Sequence, residues 1–295
     1  MAVMNRTVKQ IIFSLAALAC TAVSQAQIGV NIRMNSAQIL AGENVLVGVT
    51  ITNNTGNDIV LADQGRTSWL DMVVKRGNGE VASGLGNANF GAVKIGAGQT
   101  VAKTIDISKI YNLREPGSYS VSAIIRDRGT QSSGYISNRL LFTCATARPD
   151  WSQKVGVPGS PGKTREYRVI NFTSSSRTKL YAQLIDGKTG TSIQTLCLGE
   201  ALLFRKPQAS VDRAQVLHVL YLATPEFYVH ARMDVDGKFL GRDLHKRGAN
   251  GDPRLMTFGD GSVKVAGSVL YDAAAAAQAQ AKIRKISERP PYVYN

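Results

Sequence analysis

The segment Tyr111-Asn112-Leu113-Arg114-Glu115-Pro116-Gly117-Ser118-Tyr119 runs directly into Ser120-Val121-Ser122-Ala123-Ile124-Ile125-Arg126. Its apolar members Tyr119, Val121, Ala123 and Ile125 alternate with Ser118, Ser120 and Ser122. Residues two apart share one face of a strand, so the spacing predicts a half-buried β-strand with a serine edge toward solvent. Pro116-Gly117 supplies the turn that precedes it.

The same alternation extends outward in both directions. Asn44 to Thr52 runs into the turn cluster Asn53-Asn54-Thr55-Gly56-Asn57, and Asp58 to Ala62 is a short strand. Trp69 to Lys75 ends at Gly77-Asn78-Gly79, where glycine supplies positive φ. Gln99 to Ile107 and Tyr135 to Thr143 follow. About seven strands with turn signals at this spacing predict a Greek-key sandwich between residues 28 and 145.

The order is specific: an Asn-Asn-Thr-Gly turn, a Trp strand, Leu113-x-x-Pro116-Gly117-x-Tyr119-x-Val121, then a closing Ser137-Asn138-x-Leu140-x-Phe142-Thr143 strand. It resembles the immunoglobulin-like domains of exported bacterial proteins, including intracellular proteinase inhibitor-type domains. The resemblance covers residues 27–146 and implies a fold rather than an activity. It also implies that Tyr119 tucks its hydroxyl against backbone at the Pro116-Gly117 corner. The cysteine bridge of antibody domains is absent.

Residues 147–165 are rich in Pro and Gly (Pro149, Pro158, Gly159, Pro161, Gly162) and read as a linker. Strand character returns over 166–271, in runs such as Glu166 to Phe172, Leu180 to Asp186, Ser192 to Leu198, Ala201 to Phe204, Val216 to Leu222 and Phe227 to Met233. Asp234-Val235-Asp236-Gly237 and Gly259-Asp260-Gly261 are hairpin turns. This predicts a second antiparallel β domain without a fixed-period repeat. Residues 272–295 read as an Ala-rich basic helix capped by Asp272 and stopped by Pro290-Pro291. The fold class is therefore all-β, with a short C-terminal helix.

The N-terminus has the form of a secretory signal, over residues 1–26. Arg6 and Lys9 precede the apolar run Ile11 to Cys20, and Ser24-Gln25-Ala26 offers small residues for cleavage. The expected location is periplasmic or extracellular, with lipoprotein anchoring at Cys20 as the minor alternative. The chain carries 35 Lys+Arg against 21 Asp+Glu, a formal +14; removing Arg6 and Lys9 leaves +12. At 44% hydrophobic and 19% charged, it is neither a disordered protein nor a small disulfide scaffold. The charge points to anionic envelope polymers or a partner protein, and no aromatic-plus-basic pattern points to nucleic acid.

Cys144 and Cys197 remain after signal removal and are a candidate disulfide, with two buried free thiols as the other reading. Arg165, Tyr167, Arg168, Lys179 and Tyr181 form a candidate basic and aromatic contact face. No catalytic, cofactor or metal motif is complete. Gly156 to Thr164 has Val157 where a phosphate loop needs its first Gly, and no nucleophile elbow is present. Asp234, Asp236 and Asp243 only partly match a calcium loop, and Asn53-Asn54-Thr55 fits either a glycosylation sequon or a turn.

The expectation is a non-catalytic binding or structural module of the cell envelope, with no cofactor. One alternative is a protease inhibitor using the loop Gly84 to Gly91. The other is a hydrolase between the two β domains, with His218, His230 and Asp234 as its only candidates.

Overall fold

A computed structural model describes residues 27–65, 67–86, 88–127, 134–174, 177–249, 251–272 and 274–278. Residues 1–26, the expected signal segment with Cys20, and most of the basic tail lie outside them. The chain is all-β. In order, the first half forms β1 (Ile28–Met34), β2 (Gln38–Leu40), β3 (Leu46–Asn53), β4 (Ile59–Leu61), β5 (Leu70–Arg76), β6 (Val93–Ile95), β7 (Thr100–Asp106), β8 (Gly117–Ile125), β9 (Tyr135–Ile136) and β10 (Leu140–Ala145). The second half forms β11 (Trp151–Gly156), β12 (Thr164–Ser174), β13 (Arg177–Asp186), β14 (Ser192–Glu200), β15 (Gln208–Val211), β16 (Leu217–Leu222), β17 (Phe227–Met233), β18 (Phe239–Arg247), β19 (Arg254–Thr257), β20 (Val263–Ala266) and β21 (Ser268–Leu270).

In the first half, one sheet has the order β1-β3-β7 and a second has β2-β10-β8-β5, with β9 beside β8. All of these pairs are antiparallel except β10 with β2, which is parallel. Alternate residues of both sheets enter one buried cluster that holds Val47, Val49 and Ile51 of β3, Met72 and Val74 of β5, and Val121 and Ala123 of β8. Trp69 lies in it at 2% exposure, and its indole donates to the Gly91 carbonyl. Tyr119 donates its hydroxyl to the Glu115 carbonyl at 2.8 Å and stacks on Phe142. Strands beyond the expected ones include β2, β6 and β9, which span two or three residues. That is too short for alternation to register.

In the second half, β11-β12-β13-β14 forms one antiparallel sheet and β15-β16-β17-β18-β21 another. Tyr167, Leu184, Val219, Tyr221 and Ala231 are among the residues they bury together. The 147–165 stretch is more than a linker. Its residues 151–156 form β11, which pairs with β12 along its full length, from Trp151 opposite Val169 to Gly156 opposite Thr164. Conversely, Ala201 to Phe204 is irregular rather than a strand, and Leu203 and Phe204 are exposed.

The helix is described over 274–278, and Asp272 caps it by accepting from the Ala274 and Ala275 amides at 2.8 and 3.1 Å. No helix among the described residues is long and apolar enough to cross a membrane.

The halves meet through a small apolar cluster of Leu40, Ile170, Phe172 and Tyr181. Polar contacts surround it. Thr195 donates its hydroxyl to the Ala41 carbonyl (3.1 Å), Ser36 and Ser174 share a hydrogen bond (2.9 Å), and Tyr181 donates to Glu43 Oε2 (2.9 Å). Gly42 sits at φ +84° there, and a Cβ at that position would stand 2.9 Å from Thr195 Oγ1.

Two substitutions separate packing from hydrogen bonding in the first half. Trp69→Ala is expected to cost about 3–5 kcal/mol by opening a core cavity. Tyr119→Phe should cost about 1 kcal/mol through loss of one bond. Urea unfolding of both variants measures the difference.

Candidate functional site

The outer side of β8 carries the serine row. Ser120 lies opposite Lys75 of β5 on one side and Leu141 of β10 on the other, and Ser118 lies opposite Thr143. Arg139, two residues before Leu141, extends the same face. These side chains line a groove of about 530 Å³, with Tyr119 and Phe142 beneath it. Lys75, Arg139 and Leu141 are exposed, Leu141 at 71%. Arg76, at the groove's edge, is held by Glu115 at 2.6 Å. Among the described residues, Lys75 and Arg139 have no ion-pair partner. The groove therefore presents hydroxyl donors and acceptors between two unneutralised cations.

The contact face expected on Arg165, Tyr167, Arg168, Lys179 and Tyr181 does not form. Successive residues of β12 point to opposite faces, so Arg165 and Tyr167 lie on one side of the sheet and Arg168 on the other. Tyr167 and Tyr181 are 0% and 1% exposed, in different buried clusters. Arg165 is 3.8 Å from Asp186, and Arg168 is 2.8 Å from Glu166.

Cys144 and Cys197 are both free. Cys144 is buried in the first cluster, where desolvation pushes its thiol up to about 12, with Glu43 adding to the effect. Cys197 is exposed on β14 opposite Tyr181, and desolvation likewise raises it. Neither is poised as a thiolate. Asn53 is fully buried; its amide donates to the Asn57, Ile95 and Gly96 carbonyls, so the sequon serves as a turn anchor.

The loop Gly84 to Gly91 is anchored at both ends. The Leu85 amide donates to the Ile110 carbonyl, and the Gly91 carbonyl accepts from Trp69. It forms one wall of a second cavity, of about 770 Å³, whose other walls include Asp63, Asp71, Tyr111 and Arg126. Arg126 and Asp71 pair there at 3.1 Å.

The histidines gather on one face of the second half. In the pairing of β16 with β17, Leu220 lies opposite His230, which places His218 diagonally beside it. In the pairing of β17 with β18, His230 lies opposite Asp243 and Tyr228 opposite His245. All three imidazoles are buried, at 6%, 6% and 9% exposure. His218 Nδ1 is 2.9 Å from His230 Nε2, and His218 Nε2 is 3.2 Å from Asp212 Oδ2. His245 Nδ1 is 3.0 Å from Ser268 Oγ.

Desolvation first, then repulsion from His218, Arg232 and His245, lowers His230 to about 4; desolvation also lowers His245. Asp234 belongs elsewhere: it closes the β17–β18 turn by accepting from the Asp236 and Lys238 amides. Sequence spacing paired His218 and His230 with Asp234 because Asp212, Asp243 and His245 join them only through register.

No protein-family model matches the chain, and no curated protein matches it. Among solved structures, Spo0M, a sporulation control protein from Bacillus subtilis, aligns over 88% of this chain and 96% of its own. The TM-score is 0.28 at 8% identity, a likeness that identifies neither fold nor function.

Where the halves meet, Glu43 lines a cleft of about 280 Å³ with Arg114 and Gln194. Burial raises its carboxyl above 4.5, against the opposing bonds from Tyr181 and Leu40 and the charge of Lys179. The folded protein thus holds this proton more tightly than the unfolded chain, and the ionised group costs stability as pH rises above that value. Glu43→Gln keeps an acceptor without the charge. It is expected to melt higher than the parent at pH 7 and to converge with it toward pH 4. Tyr181→Phe should instead lose about 1–3 kcal/mol at pH 7, because it strips a partner from a partly buried carboxylate. Thermal melts across that pH range test both.

Proposed function

We propose that this is an exported, non-catalytic binding module of the cell envelope whose first half is an immunoglobulin-like sandwich and whose ligand is an anionic surface polymer. The carrying observation is the groove over β8: a hydroxyl row flanked by Lys75 and Arg139, neither matched by an acid among the described residues. Hydroxyls and cations in an open trough suit a flexible chain bearing phosphate or carboxylate groups, since each repeat can share one cation and one hydroxyl. The formal charge, +14 and still +12 once Arg6 and Lys9 leave with the signal, would draw such a polymer to the protein before any specific contact forms. The sandwich reading is supported by the Tyr119–Glu115 bond at the Pro116-Gly117 corner and by the buried Trp69 beside β5.

The inhibitor reading is favoured by one feature. Leu85 is 59% exposed on a loop tethered to Ile110 and Trp69. A pre-tethered loop loses little entropy on entering a cleft.

Retention on immobilised teichoic acid or lipopolysaccharide across a salt series tests the polymer reading. The parent protein is expected to elute progressively with salt, and Lys75→Glu/Arg139→Glu to lose binding at least tenfold with an unchanged melting temperature. Equal retention of the double variant would remove the groove from the proposal. Inhibition of a protease panel, lost in Leu85→Asp, would favour the alternative instead.

A further inference from the structure

The histidine face of the second half has no part in the polymer groove, and its geometry has a chemical logic of its own. Ring nitrogens of His230 and His245 and a carboxylate oxygen of Asp243 lie within 4.8 Å of one another. One ring nitrogen of each histidine is already engaged: His230 Nε2 on His218 Nδ1, and His245 Nδ1 on Ser268 Oγ. His218 in turn leans on Asp212 through Nε2. With neutral rings, protons run from His230 Nε2 to His218 Nδ1 and from His218 Nε2 to Asp212. That tautomer leaves the Nδ1 lone pair of His230 directed toward Asp243, whose Oδ2 is 4.0 Å away. His245 Nε2 is buried and has no hydrogen-bond partner.

A buried imidazole nitrogen left unpaired has lost its water without a replacement partner, so its presence beside a second free nitrogen and a carboxylate needs an explanation. Metal-binding histidines characteristically have one nitrogen on the ion and the other held by an acceptor, often a carboxylate. Here Asp212–His218–His230 and Ser268–His245 supply both halves of that pattern.

We propose that His230 Nδ1, His245 Nε2 and Asp243 bind a single transition-metal dication of the zinc class, with Asp212, His218 and Ser268 as positioning residues. Two imidazoles and a carboxylate suit Zn²⁺ or Co²⁺ and leave a fourth position open. Arg232 holds Asp243 Oδ2 at 2.9 Å, which fixes the carboxylate beside the histidines and leaves it lone pairs for the ion. Coordination at about 2.0–2.2 Å requires the three donors to close by roughly 1 Å, a movement within reach of side-chain rotation. The hairpin β19–β20 lies close by: Leu255 and Val265 pack on Leu220, Leu222 and Tyr228 of the same sheet. It shelters that side of the face from water.

The test uses the full exported chain, stripped with chelator and titrated with ZnCl₂ and, separately, CoCl₂. One equivalent is expected to bind, with the visible absorption of tetrahedral Co²⁺ and a melting temperature raised by about 5 °C at a hundredfold excess over Kd. His245→Gln and Asp243→Asn should each weaken binding at least tenfold. Ser268→Ala should weaken it about tenfold without abolishing the Co²⁺ spectrum. In the parent protein, long-range ¹H–¹⁵N spectra should show Zn²⁺ shifting His230 Nδ1 and His245 Nε2. This readout does not depend on any variant folding. Absence of binding by the parent, unchanged affinity in both His245→Gln and Asp243→Asn, or metal shifts confined to other nitrogens would each overturn the proposal.

Discussion

Strand register is the constraint on which the molecule's chemistry depends. A pleated strand turns successive side chains to opposite faces, so a slip of one residue between β17 and β18 would carry Asp243 and His245 through to the far side of the sheet. The pairing of His230 with Asp243 prevents this, and burial enforces it. On the opposite face Val229, Ala231 and Met233 are packed into the second core, and they cannot be exchanged for Arg232 or His230 without exposing apolar surface and burying charge. The apolar side of each strand thus holds its polar side in place. The same reasoning applies to β8, where Tyr119, Val121 and Ala123 are fastened inward and Ser118 and Ser120 have no choice but to face the groove.

The two halves differ in how they use polar residues. The first half places its hydroxyls and cations at the surface, where water compensates them. The second half buries three histidines under low exposure, with His230 and His218 hydrogen-bonded in series to Asp212 and His245 held separately by Ser268. Burial of this kind rewards complete satisfaction and penalises any unpaired atom. Between the halves, Glu43 occupies an intermediate case: a carboxylate drawn out of water by the junction, held by Tyr181 and the Leu40 amide. The junction is small and ringed with hydrogen bonds. That is the composition of an interface that orients two bodies more than it stabilises them.

Much of the fold was legible in residue order. Alternation along β3, β5, β8 and β10 located those strands, Pro116-Gly117 with Tyr119 marked the corner, and Asp272 marked the start of the helix. β11 was hidden because Pro and Gly around it mimic a linker and only Val155 of its six residues is buried. Ala201 to Phe204 misled in the opposite sense: four apolar residues in a row imitate a core strand, yet Phe204 stands 69% exposed. The basic and aromatic face does not form because nearness in sequence is not a shared side, and parity along β12 separates Arg165 from Arg168.

Sequence alone determined the period of burial, the placement of turns, the excess of positive charge and the lack of any complete catalytic motif. Those properties are local or additive, and a chain carries them before it folds. Which cations flank the serine row, why Cys144 and Cys197 remain apart, and how His218, His230 and His245 find Asp212, Asp243 and Ser268 were decided by tertiary structure. Such groupings depend on hydrogen-bonded register between strands up to dozens of residues apart, and the register is chosen by the packing of the opposite, apolar face.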